Sequence, residues 1–237
     1  MTTPDVTTVV VIVPVHNEAE LLDRCLSALG VAVATAARRG IRCVIRIVLD
    51  DCTDESSLIA EAHAFPTMTI SAARVGDARA QGVEAAMREL RRVPTQRVWI
   101  ANTDADSAVP PNWIVAQCDL AAAGADVFIG TVRPDFADLG PRHQRHWVRT
   151  HSSGVPNGHV HGASLGIRAS IYAAAGGFEA VEEHEDVELV WRCQQLGANL
   201  CASAVAEVLT SGRFIGRTPG GYAGYLRAQA EVLGARS

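Results

Sequence analysis

Lysine is missing from this chain of 237 residues, in which all 21 basic residues are arginine. A Walker A phosphate loop needs its lysine, and so does every mechanism that passes through a Schiff base, so both are excluded. No two of the 20 glycines stand two positions apart, and the dinucleotide-binding pattern G-x-G-x-x-G is therefore absent. These absences remove several common routes to phosphate binding and carbonyl chemistry.

Positive charge and long apolar runs are also scarce. The formal net charge is −5, whereas a nucleic-acid-binding protein normally has a basic excess, so no nucleic-acid partner is expected. The first apolar run, Val9–Val13, is too short for a signal sequence or a membrane span. The six scattered cysteines form no C-x-x-C pair, which favours free thiols in a reducing compartment. We therefore expect a cytoplasmic protein without a transmembrane segment, and peripheral attachment to a membrane is left open.

The first half of the chain alternates between two kinds of hydrophobic pattern, and 48% of all residues are hydrophobic, enough for a sizeable core. Dense apolar runs predict strands, at Val6–Val15, Ile41–Leu49, Met68–Ile70, Arg97–Ala101 and Asp126–Gly130. Helical spacing predicts helices between them, at Ala19–Arg39 (with Asn17 as its N-cap), Asp54–Phe65, Gly76–Arg92 and from Pro110 to Ala123. This alternation predicts an α/β fold, with a mostly parallel sheet and helices on both faces, in a single domain.

The second half has a weaker pattern. The segment Thr131–His159 is rich in Arg, His and Gly and has little periodicity, which predicts a long functional loop. Further along, the pattern predicts strands and helices, at Val160–Ile167, Ala169–Ala175, Asp186–Leu196 and Val205–Thr210. Residues 211–237 are rich in Gly and Arg and are interpreted as a mobile tail.

Polar clusters follow three of the predicted strands, at Pro14–Glu18, Asp50-Asp51 and Asp104–Asp106. The carboxyl ends of parallel strands meet at one edge of a sheet, where ligands bind in open α/β folds. Each cluster alone could simply cap a helix. Together they hold four aspartates, which repel one another unless a cation or a hydrogen-bond donor compensates. Mg²⁺ takes such oxygen ligands and usually bridges them to phosphate oxygens.

Six segments, in their order along the chain, are similar to the motifs of a known family. They are Val11–Glu18, Val48–Asp54 (similar to D-D-x-[ST]-x-D), Gly76–Gly82 (similar to A-R-N-x-G, with Ala80 in place of Asn), Asp104–Asp106 (D-x-D), Gly162–Arg168 with Gly176–Phe178, and Glu185–Leu189 (an E-D helix). Between residue 6 and about residue 200 the chain thus resembles the family 2 glycosyltransferases, which have the Rossmann-type GT-A fold. The Q-x-x-R-W motif of the processive members is missing, which favours an enzyme that makes single transfers.

The resemblance implies a role for each matching residue and a division of the chain. Residues from about 6 to 130 would bind the nucleotide sugar, and residues from about 131 to 210 would face the acceptor. The implied donor is a UDP- or GDP-sugar, the acceptor is an unidentified hydroxyl, and the cofactor is Mg²⁺ or Mn²⁺. The implied site residues are Pro14, His16 and Glu18 (nucleoside pocket), Asp51 (base), Arg79 (closing that pocket), Asp104 (ribose or metal shell), Asp106 (metal ligand), Asp186 (general base, giving inversion), and Gly162, Ala163 and Glu185 (acceptor side).

Four alternatives stay open. The segment Gly162–Gly166 also fits G-x-S-x-G, the nucleophile elbow of serine hydrolases, with Ser164 as the nucleophile, but no histidine follows Asp186 to complete the usual triad order. Five histidines, His143, His146, His151, His159 and His161, could bind a structural zinc ion, although no acidic or Cys partner stands at a recognisable spacing. A retaining transferase of the same fold and a binding module without catalysis are the other two.

Overall fold

The computed structural model describes residues 5–151, 155, 159–181, 183–216 and 220–234. Eight strands form one sheet: β1 (Thr8–Val15), β2 (Arg42–Asp50), β3 (Thr67–Ile70), β4 (Val98–Asn102), β5 (Ser107–Ala108), β6 (Val127–Pro134), β7 (Leu165–Arg168) and β8 (Leu200–Thr210). Eight α-helices accompany it: α1 (Ala19–Arg38), α2 (Ser56–Ala62), α3 (Val75–Glu89), α4 (Trp113–Ala122), α5 (Pro141–Thr150), α6 (Ala169–Ala174), α7 (Glu185–Gln195) and α8 (Tyr222–Gly234).

The strands lie in the order β3-β2-β1-β4-β7-β6-β8-β5. Strands β3, β2, β1 and β4 run parallel, and β6 and β8 are also parallel to each other. Strand β7 is antiparallel to both of its neighbours, β4 and β6, and the short β5 is antiparallel to β8. The expected α/β architecture with a mixed, mostly parallel sheet is therefore confirmed.

Strand β1 lies at the centre of the parallel part, and its eight residues are all buried. The chain leaves β1 toward β2 and β3 on one side and returns to β4 on the other, so the order of strands reverses beside β1. Pro14 fits into this central strand because the pairing with β4 ends at Ile12, whose carbonyl accepts the Thr103 N–H at 3.2 Å. Pro14 faces the same side two residues later, where no strand needs its missing N–H. The crevice that opens there is where open α/β sheets bind ligands.

Two buried clusters cover the faces of the parallel strands. On one face, α1 packs Leu22, Leu26 and Leu29 against the odd-numbered residues of β1, and on the other face α3 packs Val83 and Ala86 against Val10 and Ile12. Gly82 allows α3 to approach closely, since a Cβ there would lie 2.8 Å from the Val48 side chain. The helices thus hold the sheet on both faces and fix the position of the strand ends.

The predicted loop Thr131–His159 is wrong for much of its length. Strand β6 continues to Pro134, a short 3-10 turn follows at Phe136–Asp138, and α5 occupies Pro141–Thr150. Helix α5 was missed because most of its ten residues are polar, and only His143 and Trp147 are buried. Residues 152–154 and 156–158 of this segment lie outside the described residues.

Two further predictions need correction in the last third of the chain. The predicted strand Val160–Ile167 is shortened to β7, because Gly162–Ser164 forms a 3-10 turn before it. The predicted mobile tail contains α8, which packs against α5, and Leu226 of α8 is fully buried. Residues 217–219 and 235–237 of that tail lie outside the described residues. In the described part of the chain, we find no helix with the length and apolar character needed to span a membrane.

Candidate active site

The loop that follows β1 is joined to the loop that follows β2. Asn17 has a left-handed backbone (φ 53°), and its Oδ1 accepts N–H bonds from Thr53 at 2.7 Å and from Asp54 at 3.3 Å. Its predicted role as the N-cap of α1 is therefore wrong. The Nδ1 atom of His16 lies 2.6 Å from the carbonyl oxygen of Asp50. These bonds hold the two loops together along one wall of the crevice.

Asp50 and Asp51 have different environments although they are adjacent. The buried carboxylate of Asp50 accepts backbone N–H bonds from Ala72, Ala73 and Arg74, at 2.8 to 3.2 Å. Asp51 is exposed and has a left-handed backbone (φ 50°) just past the end of β2. Asp50 therefore fixes the chain before α3, and Asp51 is the aspartate that a ligand could reach.

The D-x-D aspartates lie just past β4. The Asp104 side chain is 36% exposed, and that of Asp106 is 14% exposed. Burial, together with the nearby charge of Asp104, raises the pKa of Asp106 to about 6, although the Arg213 guanidinium lowers it in part. The Ser107 hydroxyl donates to Asp106 at 3.1 Å. The pair thus forms an acidic site that is more favourable with a positive charge beside it.

Arg79 joins the two halves of the candidate site. Its guanidinium is almost fully buried and pairs with Asp104 at 2.6 Å and with Glu185, so it connects the D-x-D segment with the start of α7. Phe178 lies against it, with 5.7 Å from the guanidinium carbon to the ring centroid. Gly162 is packed so closely on Arg79 that a Cβ at position 162 would collide with the guanidinium. The structure therefore places this arginine between the carboxylates as a buried ionic link.

The two acidic residues that begin α7 also differ. Glu185 is buried, and desolvation raises its pKa although the nearby Arg79 charge opposes the shift. Asp186 is half-buried, and its Oδ1 accepts the Val187 N–H at 2.8 Å. His184, just before them, has a left-handed backbone (φ 63°). Asp186 is thus the more accessible of the two carboxylates.

Sequence reasoning missed Arg213, because it treated residues 211–237 as a tail. The Arg213 guanidinium bonds both oxygens of Glu18, at 2.8 and 3.0 Å, and lies 3.0 Å from Oδ2 of Asp106. Glu18 is predicted to line the nucleoside pocket. In the structure its carboxylate is buried and forms an ion pair with Arg213. No sequence signal could have found this contact, since the two residues stand 195 positions apart.

His161 was named only among the possible zinc ligands. Its ring is edge-on to Tyr222, at 5.6 Å between ring centroids, and burial lowers its pKa to about 4. Its Nε2 is buried without a hydrogen-bond partner among the described residues. Asp186 and Asp104 are close enough for their charges to act on it. His161 is therefore a neutral imidazole beside the carboxylates.

The remaining candidates lie in the wall of the same site or deeper. Gly162 and Ala163 form the buried turn before β7, beside Arg79. Ser164 is fully buried, and its Oγ accepts the Trp113 indole N–H at 3.3 Å. An exposed nucleophile at the top of a strand is what a serine hydrolase needs, and Ser164 does not provide it. Among the residues that the structure describes, no three His, Cys, Asp or Glu side chains gather as a metal-binding group.

The comparison with protein families decides the assignment. The model of the family described as Glycosyl transferase family 2 matches residues 10–173, well over half of the chain. The chain belongs to glycosyl transferase family 2. No curated protein matches the sequence of this family 2 chain.

Solved structures similar to the family 2 chain share its fold. S. aureus TarS is 13% identical with a TM-score of 0.64, over 86% of this chain and 36% of that one. TarS 1–349 in complex with UDP-GlcNAc is 13% identical with a TM-score of 0.60, over 86% and 58%. Mannosyltransferase PcManGT from Pyrobaculum calidifontis, in complex with GDP-Man and Mn²⁺, is 19% identical with a TM-score of 0.62, over 98% and 64%. The chain spans less than two thirds of the length of these proteins, and at such identities the likeness shows the GT-A fold alone.

The family implies a divalent cation, and the residues present fit one. Mg²⁺ and Mn²⁺ bind carboxylate oxygens and often take only one or two of them, completing their shell with water and phosphate. Asp104 and Asp106 supply such oxygens. A guanidinium already lies 3.0 Å from Asp106, so the site favours a positive charge at this position.

Proposed function

We propose that the chain transfers a sugar from a UDP- or GDP-sugar to a hydroxyl acceptor, with inversion at the sugar carbon and with Mg²⁺ or Mn²⁺. One observation supports this most directly: Arg79 pairs with both Asp104 and Glu185. The D-x-D segment and the E-D helix, far apart in sequence, are therefore neighbours in the fold, which supports a shared site. A transferase needs this proximity, because the acceptor hydroxyl that the base deprotonates must attack the same sugar carbon that the diphosphate leaves.

The donor would lie in the crevice between the ends of β1 and β4. His16 and the exposed Asp51 line the loops on the β1–β2 side, where a base could be recognised by hydrogen bonds. Pro14, the next-to-last residue of β1, lies at this edge without an N–H that would compete for the ligand. Asp104 keeps a part of its carboxylate exposed on the other side, within reach of a ribose or a cation.

A cation held by Asp106 and Asp104 would stabilise the negative charge that develops on the leaving diphosphate. The protein's own contribution is to hold these carboxylates on the short turn after β4. Ser107 and Arg79 fix one carboxylate each, so little reorganisation is needed when a ligand arrives.

Asp186 would accept the proton of the acceptor hydroxyl. Glu185 forms a buried ion pair with Arg79, whereas Asp186 is half-buried on the first turn of α7. A carboxylate there would deprotonate an acceptor hydroxyl on the side of the sugar opposite the leaving group, and attack by that hydroxyl inverts the sugar carbon. The retaining alternative predicts instead that this carboxylate is dispensable.

The experiment is a thermal-shift screen with UDP, GDP, dTDP and CDP, each with Mn²⁺ and with EDTA. A ligand at 100 times its Kd stabilises by about 2.7 kcal/mol, which in a domain of this size raises Tm by roughly 5–10 °C. We expect UDP or GDP to give this rise only with Mn²⁺. Equal shifts in EDTA would remove the metal from the proposal, and no shift with any nucleotide would refute the nucleotide-sugar donor.

A further inference from the structure

Arg213 lies beside two largely buried carboxylates of the candidate site, those of Glu18 and Asp106. Its guanidinium donates two hydrogen bonds to Glu18 and forms an ion pair with Asp106 at 3.0 Å. The two carboxylates are only 4% and 14% exposed, whereas the arginine side chain is 36% exposed and so faces both the protein and the crevice. Among the residues that the structure describes, Arg213 is therefore the cation paired with Asp106.

The backbone of the Arg213 segment is fixed on both sides of this residue. The Gly212 N–H donates to the Asp138 carboxylate at 2.7 Å, and a Cβ at position 212 would lie 2.7 Å from the Asp135 carbonyl. Phe214 stacks on His143 of α5, with 5.6 Å between ring centroids. Arg213 thus enters the site because the fold places it there, and it is not a surface side chain in one of many rotamers.

A divalent cation and Arg213 compete for the same carboxylate. A guanidinium 3.0 Å from Oδ2 occupies an oxygen that a cation would use, and two like charges at such a distance repel each other strongly in a partly buried site. A diphosphate changes this balance, since its oxygens offer the guanidinium a bidentate partner that suits it well. Arg213 can then release Asp106 while its other bonds to Glu18 limit how far it moves.

We propose that Arg213 makes divalent-cation binding depend on the donor diphosphate, by holding Asp106 until a diphosphate is present. This inference rests on the proposed function and adds Arg213 to the donor-binding residues. The protein alone binds the cation weakly, and the nucleotide and the cation promote each other's binding. Coupling between two ligands is reciprocal, so each raises the affinity of the other by the same factor.

The test measures Mn²⁺ affinity from the electron-paramagnetic-resonance signal of free Mn²⁺, with no nucleotide and then with saturating UDP or GDP. In Arg213→Gln, Mn²⁺ affinity without nucleotide rises about 10-fold, within the usual range of such coupling. The factor by which the nucleotide raises Mn²⁺ affinity becomes smaller by a similar amount. The matched control is Arg46→Gln, which removes an equal charge in the middle of β2, where Arg46 pairs with Glu89 of α3. It changes neither the Mn²⁺ affinity without nucleotide nor the factor by which the nucleotide raises it.

Arg213→Lys keeps the charge and guards against misfolding of the glutamine variant, because Glu18 retains a cationic partner. Because a positive charge remains beside Asp106, its Mn²⁺ affinity without nucleotide rises less than that of Arg213→Gln. The proposal is overturned if Arg213→Gln, folded by circular dichroism, binds Mn²⁺ alone no more tightly than the unaltered protein, or if Arg213→Lys shows the same rise as Arg213→Gln. Failure of UDP and GDP to bind the unaltered protein would instead refute the proposed function.

Discussion

The first two residues of α7, Glu185 and Asp186, can each be replaced with the corresponding amide. We expect one replacement to lower the rate of catalysis and the other to lower the stability of the fold. Asp186→Asn keeps the shape and the bond to the Val187 N–H but loses the basic carboxylate. Loss of a positioned general base lowers turnover by about 10²- to 10⁴-fold. Affinity for the nucleotide stays within a small factor, because the base acts in the transition state.

Glu185→Gln acts on the fold instead. The side chains of Glu185 and Arg79 are 6% and 3% exposed, and removing one partner of a buried ion pair typically costs 3–5 kcal/mol. Arg79 keeps Asp104 as a partner, so we expect the lower end, about 3 kcal/mol, which corresponds to a fall in Tm of about 6–12 °C. In Asp186→Asn the stability loss stays below about 1 kcal/mol, the usual worth of one acidic residue near a helix N-terminus.

The assay compares thermal melts, nucleotide affinity and the release of nucleoside diphosphate from sugar donors that carry the nucleotide identified in the thermal-shift screen. Normal turnover in Asp186→Asn together with lost turnover in a folded Glu185→Gln would show that Glu185 is the base. Full activity in both variants would refute inversion by either carboxylate and favour a retaining transferase.

Two further changes test the neighbouring parts of the site. Asp51→Ala should weaken nucleotide binding without lowering Tm by more than about 2 °C. Asp50→Ala loses three partly buried hydrogen bonds to a charged carboxylate, so its free energy of unfolding in a urea titration should fall by about 3 kcal/mol or more. A greater loss of stability in the Asp51 variant than in the Asp50 variant would contradict this assignment. The pKa of His161 is about 4 in the fold and about 6.5 in the unfolded chain, so between these pH values protons bind the unfolded state preferentially. The contribution of neutral His161 to the free energy of unfolding is therefore fully present above pH 6.5 and is lost as the pH falls toward 4. Between pH 7 and pH 4.5, the free energy of unfolding of His161→Gln should therefore fall by about 2–3 kcal/mol less than that of the unaltered protein. Identical pH profiles of stability would show that the fold does not protect His161 from protonation.

The parallel half of the fold could be predicted from sequence because its information is local. The eight buried residues of β1 and the leucine spacing of α1 each identify one element, and the helices start and end within a few residues of their predicted bounds. Helix α5 could not be predicted in this way, since two buried residues in ten give no continuous apolar stripe. The D-x-D and E-D motifs indicated the two sides of the candidate site in the same local manner.

The contacts between these motifs could not be read from the sequence. Arg79 matched a motif, but nothing nearby indicates that it pairs with Glu185, which is 106 positions away. The difference between Asp50 and Asp51 is also tertiary, because it depends on which carboxylate meets the backbone before α3. Arg213 lies beyond the last matching segment, in a stretch whose Gly and Arg content is typical of flexible chain.

The irregular pairing of β6 with β8 has a consequence for how this chain can tolerate insertions and deletions. Gly130 pairs with Ser203, but Val132 pairs with Val208, so one residue of β6 lies opposite four residues of β8. Strand β8 then runs three residues short of Arg213, and its end at Thr210 is held by β5. A one-residue deletion in the regular part of β8 would turn every later side chain to the opposite face and withdraw the arginine from Glu18 and Asp106. The same deletion inside the extra residues 204–207 can be absorbed by the bulge, so we expect a change of length to be tolerated there and to displace Arg213 when it falls in the regular pairing.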